Sequence, residues 1–198
     1  MTSSYFTNPI VFLIQTLLGL YAAVVLLRFL LQWVRADFYN PVSQFVVKVT
    51  TPMLRPLRRL IPGYAGMDLA SLALAWLVKT LELFILALIV APQANPLGAL
   101  AWALPELINL AINIILLMVF IRVILSWLNP DPYHPAAALL DSLTEPVMGP
   151  ARRILPPVGG LDLSPVLVMI GLVLLKMLLI PPLRSVTGYP FAVSGYPF

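Results

Sequence analysis

The sequence contains no cysteine and only one histidine, His134, in 198 residues. The chain therefore cannot form a disulfide or a thioether-linked haem, and one histidine cannot by itself supply a bis-histidine haem or a zinc site. Charge is also scarce, because Asp, Glu, Lys and Arg make up 10% of the residues, whereas soluble domains carry about 25%. We expect no cofactor and no metal. We also expect part of the protein surface to contact lipid instead of water.

Hydrophobic residues take the place of the missing charge, at 61% of the chain and a mean hydropathy of +0.97. They are gathered into runs, and a helix needs roughly 20 residues to cross the hydrocarbon core of a bilayer. The four predicted membrane-spanning helices cover 10–33, 69–90, 107–128 and 164–183. Because Pro181 and Pro182 end the last run, the alternative for this run is a helix that crosses only half of the membrane. The sequence predicts an all-α integral membrane protein.

An internal repeat is the most specific pattern in the sequence. A shift of 94 positions without a gap aligns prolines, arginines, glycines and acids, which a general hydrophobic bias would not bring into register. The aligned pairs are Arg28 and Arg122, Trp33 and Trp127, Pro41 and Pro135, Pro52 and Pro146, Pro56 and Pro150, Arg58-Arg59 and Arg152-Arg153, Pro62 and Pro156, Gly66 and Gly160, and Asp68 and Asp162. We predict two units, 1–95 and 96–198, each made of a helix, a linker and a helix. Units with an even number of crossings have the same orientation in the membrane.

Each linker is predicted to contain an amphipathic helix that lies on the membrane surface, over 42–61 and 136–155. Pro52 and Pro56 should break or kink the first of these helices, because proline removes a backbone donor. Basic residues would lie at the level of the headgroups, where each gains about 1 kcal/mol from anionic lipid. The candidates for binding lipid or a partner protein are Arg55, Arg58, Arg59, Arg152 and Arg153.

The distribution of Lys and Arg predicts the orientation of the chain. Basic residues are concentrated in the linkers 35–67 and 129–163, whereas the connection 91–104 has none. Because segments rich in Lys and Arg stay in the cytoplasm, both linkers are expected to be cytoplasmic and both termini periplasmic. Arg184, near the C-terminus, opposes this assignment. The tail from Gly188 is expected to be a flexible aromatic segment near the interface.

The two linker regions resemble the repeats of the YggT family of bacterial inner-membrane proteins. The resemblance covers nearly the whole chain and is carried by the stretches 40–71 and 134–165. Two positions depart from the shared pattern: His134 stands where the first copy has Asn40, and Gly63-Tyr64-Ala65 stands where the second copy has Pro157-Val158-Gly159. The motif in the first copy consists of Asn40-Pro41, Thr50 two residues before Pro52, Pro56, Arg58-Arg59, Pro62, Gly66 and Asp68-Leu69. The resemblance implies a multi-pass protein of the bacterial inner membrane. Relatives are associated with osmotic tolerance, with cell division and envelope or nucleoid organisation, and in plastids with maturation of a haem-bearing cytochrome.

Charged residues inside the apolar runs are candidate functional residues, because an unpaired charge at mid-membrane costs at least a few kcal/mol. They are Arg28, Lys79, Glu82, Arg122 and Lys176. The two arginines lie near the cytoplasmic ends of their helices and are expected to reach the headgroups. Glu82 aligns with Lys176 in the repeat. These two residues are therefore predicted either to form a buried ion pair between the two repeats or to take part in an ion or proton relay.

Asp68 and Asp162 precede the second helix of their units. Two equivalent carboxylates suggest metal or proton chemistry, but an acid just before a helix commonly caps its N-terminus, and we favour capping. Asn109 and Asn113 lie four residues apart in the third run. We expect them to form hydrogen bonds to a neighbouring helix.

We do not expect an enzyme, because no arrangement of Ser, His and Asp and no nucleotide-binding motif appears in the sequence. Nor is nucleic acid an expected partner, although the sequence predicts a pI near 9.6, because the basic residues border the membrane runs. The favoured function is a membrane scaffold or assembly factor that organises the envelope, with anionic lipid and a cytoplasmic or membrane protein as partners. The alternative is a small ion channel or transporter for osmotic response. It would require a homo-oligomer, because four short helices leave little room for a substrate cavity.

Overall fold

The computed structural model describes residues 3–63, 66–128, 135–155 and 162–192. These residues form six α-helices: α1 (Ser3–Trp33), α2 (Pro41–Leu60), α3 (Leu69–Val90), α4 (Ala99–Leu128), α5 (Pro135–Ile154) and α6 (Ser164–Thr187). Short 3₁₀ segments lie at Pro96–Gly98 and Pro190–Ala192. The predicted all-α class is confirmed.

Four helices are long and apolar enough to cross a membrane, over Asn8–Trp33, Leu69–Val90, Pro96–Ser126 and Ser164–Thr187. The fourth apolar run therefore forms a helix that is long enough to cross the whole membrane. Helix α6 has 24 residues and extends about 36 Å at about 1.5 Å per residue, with Pro181 and Pro182 inside it. It ends at Gly188, which adopts the left-handed conformation that favours glycine, with a φ of 67°.

The linker helices begin at equivalent prolines, Pro41 of α2 and Pro135 of α5, whose fixed φ suits the first turn of a helix. Asn40 caps α2, since its Oδ1 accepts a hydrogen bond from the backbone N–H of Val42 at 2.9 Å. Its Nδ2 donates to the carbonyl of Pro135 at 2.5 Å and so joins the two linkers. Pro62 follows the end of α2.

The break expected in α2 does not occur. The helix runs through Pro52 and Pro56 to Leu60, and α5 likewise runs through Pro146 and Pro150. A proline leaves the carbonyl four residues before it without a helical donor. In α2 those carbonyls belong to Lys48 and Pro52, which are exposed, so water or headgroups can supply the missing hydrogen bonds.

The spanning helices pack in a row. Helix α1 packs against α3, α3 against α4, and α4 against α6, while α2 packs on α1 and α3 and α5 packs on α4 and α6. In the described residues α3 and α6 make no extensive contact, because α4 lies between them. The main apolar core joins both repeats and includes Val25, Leu31, Leu54, Ala75, Leu107, Ile114, Leu139 and Leu143.

Candidate functional site

Arg28 connects α1 with α2 in a polar layer beside the linker helices. Its Nη1 donates hydrogen bonds to Thr50 Oγ1 at 2.6 Å and to Thr51 Oγ1 at 3.1 Å. Its Nε lies 3.9 Å from a carboxylate oxygen of Asp68. Arg28 is buried, so the expectation that it reaches the headgroups is wrong. The hydroxyls of α2 and the carboxylate of Asp68 give the guanidinium partners inside the protein.

Asp68 is the N-cap of α3 and holds the same cluster together. Its carboxylate accepts hydrogen bonds from the N–H and the hydroxyl of Ser71, the latter at 2.6 Å, and forms an ion pair with Arg58. Burial acts to raise the pKa of Asp68, but the hydrogen bonds from Arg58 and Ser71 outweigh it and hold the pKa below its usual value. The carboxylate is therefore kept charged where Arg28 and Arg58 converge.

The second repeat has related contacts at the equivalent positions, but Arg122 pairs with Asp141, whereas Arg28 faces Asp68. Arg122 donates to Thr144 Oγ1 at 3.0 Å and forms an ion pair with Asp141 at 2.7 Å. Arg152 forms an ion pair with Asp162 at 3.2 Å. We call the cluster of Arg28, Thr50, Arg58 and Asp68 the first linker clamp, and the four equivalent residues Arg122, Thr144, Arg152 and Asp162 the second linker clamp.

The second linker clamp is more open than the first. The side chain of Asp162 is 36% exposed, whereas that of Asp68 is 5% exposed. Asp162 accepts a hydrogen bond from the N–H of Ser164 at 2.9 Å, but the N-cap residue of α6 is Leu163. Burial acts to raise the pKa of Asp162, and hydrogen bonds from Ser164 and Arg152 outweigh it and lower the pKa.

The linker clamps divide the basic candidates into two groups. Arg58 and Arg152 each have a carboxylate partner inside the protein. Arg55, Arg59 and Arg153 are exposed and make no ion pair within the described part of the chain. Only the second group has its charge fully available to a ligand or partner.

A cavity of about 250 Å³ lies in the half of the bundle away from the linkers, between α1, α3, α4 and the segment after α6. Lys79 Nζ lies 2.9 Å from both carboxylate oxygens of Glu82. Glu106 forms an ion pair with Arg184 at 2.6 Å. The polar residues that line the cavity are Gln15, Lys79, Glu82, Glu106, Asn109, Asn113 and Tyr189. The acids in the cavity are therefore held in ion pairs.

The hypothetical ion pair between Glu82 and Lys176 is not formed. Glu82 instead pairs with Lys79, one turn earlier in α3. Lys176 Nζ donates to Asn113 Oδ1 at 2.8 Å, which joins α4 to α6 as expected for an interhelical asparagine. Because α4 lies between α3 and α6, the two equivalent positions of the repeat do not meet. Asn109 Oδ1 is buried without a hydrogen-bond partner among the described residues.

Aromatic residues cover the end of the cavity that is remote from the linkers. Trp102 Nε1 donates to the carbonyl of Thr187 at 3.0 Å, and its ring makes edge contacts with Tyr189 and Phe191. The tail is therefore packed against α4 at its start, contrary to the expected flexible segment. Burial, and next the negative charge of Glu106, raise the pKa of Tyr189.

An apolar layer separates this cavity from the first linker clamp. All residues of α3 between Ser71 and Lys79 are apolar. The distance along the helix from Ser71 to Lys79 is about 12 Å. The matching segments 22–27 of α1 and 114–121 of α4 are apolar as well. The described residues thus offer no continuous polar route through one copy of the bundle.

Sequence reasoning included the two threonines in the repeat motif but gave them no role in the site, and it missed Glu106. Thr50 and Thr144 align in the repeat, and this signal could have identified them as partners of the equivalent arginines. Glu106 is an acid at the edge of an apolar run, without an equivalent acid in the first repeat. His134 and Pro156 lie outside the described residues.

The sequence is similar to known proteins over nearly its whole length. The CCB3/YggT family model matches it twice, over residues 7–89 and 101–183, an offset equal to that of the repeat. An uncharacterised protein of Pseudomonas aeruginosa is 43% identical over 186 residues, which cover 93% of this chain and 94% of that protein. The uncharacterised protein YggT of Escherichia coli K12 is 37% identical over 170 residues, which cover 86% and 88% respectively. No solved structure matches the chain.

Proposed function

Because the chain belongs to the CCB3/YggT family, we propose that it is a non-enzymatic scaffold of the bacterial inner membrane that organises the envelope by binding an acidic cytoplasmic protein. The observation that carries this proposal is the basic face of α2, which consists of Lys48, Arg55 and Arg59. All three residues are exposed, and none makes an ion pair in the described part of the chain. Such a face attracts and orients an acidic partner.

The distribution of basic, buried and apolar residues around α2 supports an orientation in which the basic face points to water. At about 100° per residue, the basic face lies roughly opposite the buried side formed by Val46, Thr50 and Leu54. A third side, the apolar face, consists of the exposed residues Val42, Phe45, Val49, Met53 and Leu60. It lies about a quarter turn from the buried side. A helix at the membrane interface places such a face toward apolar surroundings and its cations toward the aqueous phase.

The first linker is the more basic of the two. The positions of α5 equivalent to Lys48, Arg55 and Arg59 hold Ser142, Gly149 and Arg153. Helix α5 therefore retains one of the three cations of the basic face, and Asp141 and Glu145 add negative charge to it. A scaffold that uses α2 for docking and α5 for internal packing accounts for this difference between two otherwise similar units.

We expect replacement of Lys48, Arg55 and Arg59 by Gln to abolish recruitment of the partner. A photo-crosslinking amino acid at Gln44, an exposed position on the same side of α2, should capture one discrete protein in living cells. The three substitutions should remove this adduct, because the charge that attracts the acidic surface is gone. Survival after osmotic downshock should fall in parallel, while the amount of protein in the membrane is unchanged.

Arg153→Gln is the matched control, because it removes an exposed arginine of α5 and leaves the basic face of α2 intact. It should retain the adduct. The scaffold proposal fails if the wild type yields no protein adduct, or if the adduct survives in the triple variant. Capture of lipid alone would assign the basic face to anionic headgroups instead.

Ion flux distinguishes the scaffold from a channel. Proteoliposomes with a K⁺ gradient should leak no faster than empty liposomes, because the apolar layer between the cavity and the first linker clamp contains no charged, amide or hydroxyl side chain in α1, α3 or α4. Glu82→Gln should leave that rate unchanged. Flux above the empty liposomes, with a rate altered by Glu82→Gln, would support a channel instead.

A further inference from the structure

The two repeats pack on each other head to tail. We define the tail face of the first repeat as Leu26, Leu30, Leu72 and Trp76, and the head face of the second repeat as Leu107, Ile114, Leu139 and Leu143. The two faces meet in one apolar core. Leu30 and Leu143 also line the same small gap between the repeats. Within the chain, each of these faces therefore covers the other.

Both faces have uncovered counterparts at the offset of 94 residues. The counterpart head face in the first repeat consists of Leu13, Leu20, Phe45 and Val49, and the counterpart tail face in the second repeat consists of Phe120, Ile124, Val166 and Ile170. All eight residues are exposed. Phe45 is 61% exposed where Leu139 is 6%, and Phe120 is 52% exposed where Leu26 is 2%. The uncovered head face and the uncovered tail face are thus both apolar, like the two faces that meet in the internal interface.

The difference in exposure excludes a closed two-fold arrangement of the repeats. A two-fold axis would cover both copies of a given face equally, whereas a heterologous interface leaves one head and one tail open. We propose that a second copy of this chain covers the open head face with its own open tail face, so that copies assemble head to tail in the membrane. This proposal does not rest on the basic face of α2, which lies on another side of that helix.

A second copy fits the open head face better than lipid does. Lipid tails solvate Leu13 and Leu20 as well as protein does, so association in the membrane depends on packing. The contact required is already realised inside the chain, where residues at the same positions of the repeat share one apolar core. Phe45 and Val49 extend the open head face onto the linker helix, as Leu139 and Leu143 do in the second repeat.

Cysteine cross-linking in native membranes tests the proposal, because the chain has no cysteine of its own. Leu30 and Leu143 are neighbours across the internal interface, and their counterparts Ile124 and Val49 should be neighbours between copies. Val49→Cys and Ile124→Cys, carried on differently tagged chains, should form a heterodimer with a short bifunctional thiol reagent. Neither variant should form a homodimer alone, and both substitutions in one chain should yield a ladder of higher oligomers.

Ile154→Cys paired with Val49→Cys is the matched control. Ile154 is exposed on a linker helix, and its counterpart Leu60 stays exposed despite the internal interface, so this pair should not cross-link. Phe45→Ala added to the Val49→Cys chain should lower the heterodimer yield about tenfold, a change of about 1.4 kcal/mol. Homodimers of Val49→Cys alone, or absence of the heterodimer in correctly inserted protein, would overturn the proposal.

Discussion

Asp68→Asn is expected to lower the free energy of unfolding by about 3 kcal/mol, the range for breaking a buried ion pair. Asp68 caps α3, and its carboxylate faces both Arg58 and the buried Arg28. The amide keeps the shape of the side chain but cannot balance the two guanidinium charges. The measurement is reversible unfolding of the purified protein in mixed detergent micelles.

The second repeat supplies the matched control for this substitution. Asp162 occupies the equivalent position but is more exposed, so solvent screens its ion pair with Arg152. Asp162→Asn should therefore cost about 1 kcal/mol or less. Equal losses for the two variants would show that burial in the first linker clamp does not strengthen the interaction.

The stability that Asp68 adds should also depend on pH. Its pKa in the folded protein lies below the usual 3.8, so the unfolded chain binds the proton more readily. The contribution is complete above about pH 4 and is lost as the pH falls from there through the lowered pKa. The difference in unfolding free energy between wild type and Asp68→Asn should shrink over this acidic range. A difference that stays constant would contradict a role for the charge.

Lys79→Met is expected to destabilise the protein by about 3 kcal/mol, because it leaves Glu82 in the membrane without its ion-pair partner. The loss should exceed that of Glu82→Gln, for which we expect about 2 kcal/mol. Glu82 and Glu106 line the same cavity, so neutralising Glu82 also relieves the repulsion between two carboxylates. The order of the two losses therefore reports on the charge balance of the cavity.

Double-mutant cycles identify which residues are partners. Combining Lys79→Met with Glu82→Gln should cost less than the sum of the single losses, because both charges of one pair are removed together. Combining Glu82→Gln with Lys176→Met should be additive, since these residues lie on helices that α4 separates. Additivity in the first cycle, or coupling in the second, would contradict the observed pairing.

Features of a single helix could be predicted from the sequence where they depend only on residues close together in the chain. The beginnings of α2 and α5 at Pro41 and Pro135, and the capping position of Asp68, follow from preferences that act within one turn. The continuity of α2 through Pro52 was not predictable, because it depends on whether the freed carbonyl faces a hydrogen-bonding medium. That orientation is set by how the helix lies on the bundle.

The partners of the charged residues depended on the order in which helices pack. Periodicity places Arg28 and Glu82 on a face of a helix, but it does not say which helix lies opposite. The repeat made Lys176 the natural partner of Glu82, and the intervening α4 makes Asn113 the partner of Lys176 instead. Arg58, with the same charge as Arg55 and Arg59, is set apart from them only by its distance to Asp68.

The sequence by itself determined that the chain resides in a membrane, that it has two units in one orientation, and that it belongs with the YggT repeats. Those properties follow from composition and from the register of prolines, arginines and acids, which need no knowledge of distant contacts. Only the tertiary structure decided that the units pack head to tail and that the charges pair within clamps and a cavity. Contacts between segments far apart in the chain depend on shape and packing, because an apolar side chain is equally compatible with lipid and with any apolar neighbour.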